Sequence, residues 1–439
     1  MSNVMLTFLG TNDYLPCNYL LNGKKVNNVR FVQEALASIF CEGWDKNDKI
    51  VIFLTKEAKN KNWIDNGHKD RDGNPLQREG LKRRLEHLKL SPNILTKDVP
   101  DGCSEKEIWD IFDIVFSEID KGDEVIFDIT HGFRSLPMLM VVISNYAKIL
   151  KNIKVNGIYY GAFESLGTVH DVEGMSIKDR NTLIFNLTTF IHLFNWTTAI
   201  DNFLVYGDAG YINMLTQEEI RPILKDTRGE NEDARYLRQF GFQLEKLTEL
   251  IRTNREVELI KGFDFNNLRE LIARNKESIL KPLNPLLERI AGKIKGFSNS
   301  DIKNGYAAVE WCIEHSLIQQ GYTILQETMI TEIVAKYFGE DKIVDKDKRR
   351  IVSQAIAIRQ KGIKKDKWDE FTRSNDEDID KIIKDINGNF AGIYDSVAQY
   401  RNDINHAGLG NNSHKPEDLK NQLRKYYEKL KLRGGIKNV

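Results

Sequence analysis

The stretch Glu124-Val125-Ile126-Phe127-Asp128-Ile129-Thr130-His131-Gly132-Phe133-Arg134-Ser135-Leu136-Pro137-Met138 decides the fold. A continuous apolar run closes on a carboxylate, a hydroxyl, an imidazole and a glycine, and an apolar helical pattern opens at Leu136. That order describes a buried parallel strand carrying polar groups to its carboxyl end, where open α/β sheets place their ligands. Gly132 permits a tight turn, and main-chain N–H groups of the helix opening near Ser135 can face an anion. The expected ligand is small and polyanionic.

Strand-like and helix-like segments alternate outward from this stretch, from residue 1 to about 187. Val4–Leu9, Lys49–Leu54, Ile94–Val99, Glu124–Ile129, Val155–Tyr160 and Leu183–Leu187 read as strands. Val29–Phe40, Leu76–Leu90, Glu105–Ile119 and Leu136–Leu150 read as amphipathic helices. The alternation predicts βαβ units with right-handed crossovers, a Rossmann-like parallel sheet. Lys56–Gly80 is polar and rich in Gly and Asn, and reads as a long exposed loop.

From residue 188 the apolar spacing is helical throughout. It runs through Phe190–Val205, Ala234–Arg252, Phe265–Ile279, Leu286–Ile294, Ala307–Phe338, Arg349–Gln360, Ile379–Tyr400 and Pro416–Leu432. Gly296–Asn304 reads as a linker or inter-helix turn. The expected class is α/β followed by all-α, in three parts: 1–187, a helical connector 188–300, and a helical domain 301–439.

The chain has 439 residues with equal numbers of basic and acidic side chains, 64 each, so any nucleic-acid contact must come from local patches. The four cysteines, Cys17, Cys41, Cys103 and Cys312, show no CxxC spacing. They read as free thiols of a cytoplasmic protein, and a structural zinc is not expected. The first ten residues read as a strand rather than a signal peptide, and no apolar run reaches the length of a membrane span.

Two constellations can carry chemistry. The first joins two strand ends, Gly10-Thr11-Asn12-Asp13-Tyr14 and Asp128-Ile129-Thr130-His131-Gly132, which open onto one crevice in a doubly wound sheet. Thr11, Asn12, Thr130, His131, Arg134 and Ser135 supply donors suited to phosphates and ribose hydroxyls. Tyr160, in Tyr159-Tyr160-Gly161-Ala162-Phe163-Glu164, offers an aromatic face for a base. Neither strand end is a GxGxxG or GxxxxGK[ST] fingerprint, so a dinucleotide or P-loop cofactor is not expected. The plainer alternative makes Asp128 a turn cap and His131 a structural histidine.

The second is Arg401-Asn402-Asp403-Ile404-Asn405-His406, closing a helix ahead of Gly408 and Gly410. Metal-free RNA cleavage needs proton transfer at the 2′-hydroxyl and the leaving 5′-oxygen, plus positive charge on the phosphate. Histidine titrates near neutrality, and arginine presents a fork matching phosphate oxygens. Five residues on one helix turn two side chains about 140° apart, at 100° per residue. Convergence is easier if His406 sits where the helix ends. A capping histidine beside a surface arginine is the alternative. Glu327 lies deep in the apolar pattern of a preceding helix, and Lys415–Val439 holds eight basic against three acidic residues, with Tyr426 and Tyr427 among them. That patch suits single-stranded RNA or a solvated helix face.

Together the pieces resemble a known family. Asp128-Ile-Thr-His-Gly-Phe-Arg-Ser-Leu-Pro with Tyr159-Tyr-Gly-Ala-Phe-Glu looks like a CARF domain of type III CRISPR accessory proteins, and Arg401-Asn402 followed by His406 looks like a HEPN ribonuclease motif. The resemblance implies a homodimer, or a higher oligomer, whose CARF pair binds a cyclic oligoadenylate and thereby activates a composite site for cutting single-stranded RNA without a metal. It implies Gly10, Thr11, Asn12, Asp13, Thr130, His131, Gly132, Arg134, Ser135 and Tyr160 as ligand contacts. It implies His406 as the proton-transfer group, Arg401 as the phosphate-stabilising charge and Asn402 as the group that orients them or holds the RNA. Cyclic tetra-adenylate is the favoured activator and cyclic hexa-adenylate the other. Cleavage of the ring by the sensing domain itself is left open. The rival reading is a non-enzymatic sensor that controls transcription, with Arg235, Arg238 and Arg252 on its DNA-facing side.

Overall fold

The structure, a computed structural model, describes residues 1–70, 72–131, 136–278, 283–409 and 413–431. Two compact units divide at His192 and Leu193.

The first unit is built on an eight-stranded sheet in the order β3-β2-β8-β7-β6-β1-β4-β5. The strands are β1 (Asn3–Phe8), β2 (Cys17–Leu21), β3 (Lys24–Val29), β4 (Lys49–Leu54), β5 (Asn93–Asp98), β6 (Glu124–Asp128), β7 (Lys154–Gly161) and β8 (Asn181–Asn186). The helices are α1 (Val32–Phe40), α2 (Lys56–Ala58), α3 (Leu81–His87), α4 (Glu105–Ser117), α5 (Leu136–Lys151) and α6 (Val169–Glu173). β1 pairs in parallel with β4 on one side and β6 on the other, β4 pairs in parallel with β5, and β6 with β7. The Rossmann-like class read from the pattern is therefore correct for this central block.

The sheet is mixed at one edge, not wholly parallel. β8 runs antiparallel to β7, and β2 and β3 form an antiparallel hairpin with β2 parallel to β8. That hairpin falls outside the predicted strands, and Val29, taken as the start of a helix, is its last residue. Its turn is Asn22-Gly23, both with positive φ (48° and 80°), the geometry that two-residue hairpins require.

Side-chain alternation sends the core to both faces. Met5, Ile50, Ile52, Ile126 and Tyr159 pack with Leu36 of α1 and Leu85 of α3. Val4, Leu6, Val51, Phe53 and Phe127 pack on the other face with Phe112 of α4 and Ile143 of α5. Chain direction reverses at β1. After the β2–β3 hairpin at the far edge, the chain lays β4 and β5 on one side of β1 and then crosses to the other side for β6 and β7. The carboxyl ends of β1 and β6 are thus the topological switch point, where a crevice opens between diverging connections.

From Thr188 onward every named element is helical: α7 (Thr188–Tyr206), α8 (Gly210–Asp226), α9 (Glu232–Arg252), α10 (Phe265–Ser278), α11 (Asn284–Lys293), α12 (Asn304–Glu314), α13 (Ile318–Phe338), α14 (Lys346–Lys361), α15 (Glu370–Ser374), α16 (Asp376–Asp385), α17 (Gly388–Asn405) and α18 (Pro416–Lys431), with short 3-10 and π turns between some of them. One hydrophobic core runs through the second unit from Trp196 to Leu430. It passes the Gly296–Asn304 turn, where Phe297 is buried and Asn304 donates to the oxygens of Leu259 and Ser298 at 2.8 and 2.6 Å.

Three helical expectations change. The single helix read over Ala307–Phe338 is two, parted where Ser316 takes φ +58° and Leu317 N–H reaches back to Cys312 O at 2.8 Å. Ile379–Tyr400 is also two, since the Asn387 side chain caps α17 by accepting from Phe390 N at 2.8 Å. α8 was not anticipated, because its apolar spacing is interrupted by polar residues and Pro222. No helix among the described residues is long and apolar enough to cross a membrane.

Candidate functional site

At the switch point Thr7 of β1 and Asp128 of β6 stand in register. Thr7 Oγ1 donates to Asp128 Oδ2 at 2.7 Å, and Gln33 Nε2 of α1 donates to Thr7 Oγ1 at 3.1 Å and to Phe8 O at 2.9 Å. The other carboxylate oxygen, Asp128 Oδ1, accepts from Thr130 N at 3.0 Å and Thr130 Oγ1 at 2.6 Å. Thr130 Oγ1 in turn accepts from Gly161 N at 2.8 Å, tying the end of β6 to the end of β7. Burial pushes the Asp128 carboxyl above its ordinary range, against the pull of these hydrogen bonds.

His131 follows, buried, with its ring 4.3 Å from that of Tyr14. Burial lowers its pKa to about 3, so the imidazole is neutral at ordinary pH. Its Nε2 is buried without a partner among the described residues. A buried unpartnered ring nitrogen just beyond a strand's carboxyl end costs stability unless something polar meets it. It is therefore a candidate ligand contact as a neutral hydrogen-bonding group, not as a cation.

The β1 side of the crevice is a loop packed at van der Waals limits. A Cβ on Gly10 would lie 1.9 Å from the Tyr14 hydroxyl and 3.2 Å from His131 Cβ. Tyr14 is locked against Phe31, Phe163 and His131, so it has no room to yield. Gly10→Ala should therefore cost about 1–3 kcal/mol by overpacking, read as a lowered denaturation midpoint. Thr11 is half-buried and Asn12 exposed, so their side chains are available, whereas Asp13 is taken up by Arg30 at 3.0 Å and Arg78 at 3.2 Å. Tyr160 is half-buried and its hydroxyl donates to Glu164. Burial first, and then Glu164, push that phenol up to about 12. Gly10, Thr11, Asn12, Asp13, Thr130, His131 and Tyr160 thus lie at neighbouring carboxyl ends of β1, β6 and β7. Gly132, Arg134 and Ser135 lie outside the described residues.

The second constellation is in the helical unit. His406 is the C-cap of α17 and exposed, with Ala407 (φ +54°) and Gly408 (φ +68°) turning the chain away. Asp403 accepts from His414 N at 2.9 Å and lies 3.0 Å from His414 Nδ1, which pins the far end of the segment that follows. Arg401 NH2 donates to Asn402 Oδ1 at 3.3 Å, and its NH1 lies 3.9 Å from Glu327 Oε1 on α13. Glu327 is itself gripped by Arg349 of α14 at 2.6 Å. Sequence reading noted Glu327 but not its two arginine partners, and missed His414. Such partners are set by helix packing and leave no local spacing signal.

Beneath this face Glu256 is buried, with Thr328 Oγ1 2.9 Å away. Burial raises its pKa from 4.5 to about 7, outweighing Thr328 and Arg349, which act downward. The folded state therefore holds this proton more tightly than the unfolded chain, and the linkage is destabilising as pH rises. Stability should fall by about 3 kcal/mol between pH 4.5 and 7, at 1.36 kcal/mol per pKa unit. Glu256→Gln should flatten the pH dependence of the Tm across that window.

No group of three or more His, Cys, Asp or Glu side chains among the described residues is placed to hold a metal ion. Of the arginines put forward for DNA contact, Arg235 pairs with Glu232 and Arg252 with Asp208.

Residues 4–164 match the family described as CRISPR system endoribonuclease Csx1, CARF domain. The chain is also 24% identical over 388 residues to CRISPR-associated protein MJ1674 of Methanocaldococcus jannaschii, an alignment covering 78% of this chain and 56% of that relative. The chain thus spans a little over half the length of the curated relative it matches. These similarities, with a mostly parallel N-terminal sheet and an all-helical remainder, support a CARF-containing CRISPR accessory protein.

Proposed function

We propose that this chain is a cyclic oligoadenylate-activated, metal-independent endoribonuclease for single-stranded RNA, acting in type III CRISPR defence as a homodimer. The observation that carries the reading is the cluster of polar groups at the β1–β6 switch point, inside the segment that resembles the Csx1 CARF domain. A ring of phosphates, riboses and adenines suits its mixture of hydroxyls, loop main chain, neutral imidazole and tyrosine. The sensing domain spans 1–187, the connector 188–300 and the HEPN-like ribonuclease domain 301–439. Cyclic tetra-adenylate is the favoured activator and cyclic hexa-adenylate the second choice.

In the proposed reaction the substrate's 2′-oxygen attacks the adjacent phosphorus. The bond from phosphorus to the 5′-oxygen breaks, leaving a 2′,3′-cyclic phosphate and a 5′-hydroxyl. His406, at the helix end, transfers the protons, one copy taking and the other giving across the dimer axis. Arg401 meets the charge on the phosphoryl oxygens, and Asn402 and Glu327 orient its fork. The homodimer draws support from α5, where Met138, Val142 and Ile149 are exposed at helical spacing, an apolar stripe that a second copy would cover. Ligand binding then shifts the dimer toward the arrangement in which the ribonuclease sites are competent.

Labelled single-stranded RNA incubated with the protein and each ring size is the test. Cleavage that appears only with a ring supports the proposal. Ring binding without cleavage, accompanied by binding to duplex DNA, would establish the transcriptional regulator instead.

A further inference from the structure

We propose that Asn62 is a positioning residue for the switch-point crevice, fixing the loop Gly10–Asp13 in the form that receives an anionic ligand. This rests on the reading of that crevice as the cyclic oligoadenylate site. Lys56–Gly80 was expected to be an exposed loop, but its inner side is buried. Asn62 is fully buried, on a π-helical turn spanning Lys59–Trp63. Single π turns often mark functional positions.

Both donor hydrogens and both acceptor lone pairs of this amide face named groups. Nδ2 donates to Gly10 O at 2.9 Å and Asn12 O at 2.8 Å. Oδ1 accepts from Arg30 NH2 at 3.2 Å and faces His68 Nε2 at 3.0 Å. Arg30, also buried, extends the clamp, donating from Nε to Tyr14 O at 2.8 Å, from NH1 to Glu79 O at 2.6 Å and from NH2 to Asp13 at 3.0 Å. Arg78 closes it from outside on Asp13.

The electrostatic consequence concerns main-chain oxygens. Two carbonyl oxygens of the ligand loop are committed to an amide inside the protein, so their negative ends do not face a phosphate in the crevice. Thr11 and Asn12 side chains stay accessible on the same segment. A loop held this way meets its ligand without an ordering cost, which raises affinity through pre-organisation. Asn62→Asp keeps the shape and the acceptor toward Arg30, but sets a carboxylate oxygen against Gly10 O and Asn12 O.

The test compares full-length protein with Asn62→Asp by titration with cyclic tetra- and hexa-adenylate, and by amide hydrogen exchange without ligand. The variant should bind the ring at least 10-fold more weakly and exchange faster at residues 10–14, with the β1 and β6 amides unchanged. The ring concentration for half-maximal RNA cleavage should rise while the cleavage rate at saturation holds, a split that general misfolding would not give. If Asn62→Asp does not fold, Arg78→Gln, which frees Asp13 from the outer side, should show the same split at smaller size. Unchanged affinity and unchanged exchange overturn the proposal. Failure of the unaltered chain to bind either ring overturns the ligand reading instead, and the exchange comparison then decides whether Asn62 holds the loop.

Discussion

His406→Ala should lower ring-activated RNA cleavage by about 10³-fold or more, within the 10²–10⁴ that positioned acid–base groups contribute and extended by loss of the same group from both copies. The fold should be indifferent to the change. His406 is exposed at the C-cap of α17, and the helix end is held by main-chain hydrogen bonds from His406 N to Asn402 O at 2.9 Å and Gly408 N to Asp403 O at 3.0 Å. The Tm should stay within about 1–2 °C, since surface substitutions of this kind fall within about 0.5 kcal/mol. Affinity for the ring should be unaltered, because the imidazole belongs to the helical unit. Single-turnover cleavage of a labelled RNA, beside a ring titration, measures both. Arg401→Lys is the companion, keeping the charge but losing the fork that lies beside Glu327 and Asn402. Cleavage at the original rate in His406→Ala would remove that residue from the reaction.

Thr130→Val should weaken ring binding by about 10- to 100-fold. The substitution preserves volume and β-branching but deletes the hydroxyl that donates to Asp128 at 2.6 Å and accepts from Gly161 at 2.8 Å. Gly161 N–H then loses its partner and Asp128 loses one donor, a cost of about 1–3 kcal/mol for groups left unpaired. The cost falls on the junction of β6 and β7, so the backbone carrying His131 and Tyr160 shifts relative to the β1 loop. A modest drop in Tm together with a large rise in the ring's Kd is the expected pattern, with the saturated cleavage rate kept. Unchanged Kd at reduced Tm would place the ligand elsewhere.

The sheet's centre was legible because buried parallel strands have a signal of their own: apolar runs closing on polar residues, as in Glu124–Asp128. The edge was not. β3 is Lys24-Lys25-Val26-Asn27-Asn28-Val29, mostly exposed, and only the Asn22-Gly23 turn after the apolar β2 could have revealed it. The second half read as helical throughout; what it missed was α8, with its interrupted apolar spacing, and the breaks made by single residues such as Ser316 and Asn387. That the β1 and β6 ends lie side by side was legible from their residue types. The side chains that hold them were not: Asn62 is 52 residues from Gly10, Arg30 sits between a hairpin and a helix, and Gln33 reaches Thr7 across 26 positions. Long-range partners leave no periodicity in the chain, so Lys56–Gly80 looked like solvent-facing loop although Asn62, His68, Arg78 and Glu79 within it form a clasp.

The distance along the chain between Thr7 and Asp128, 121 positions, sets when the proposed ring site can first form. Neither half of the crevice exists without the other, and the hydroxyl–carboxylate contact that joins them forms only after a large loop has closed. During synthesis the emerging polypeptide therefore lacks the proposed ring site until β6 and the end of β7 have left the ribosome and docked on β1. On the proposed reading, a fragment ending before Glu124 would hold only the β1 half of the site and would not bind the ring.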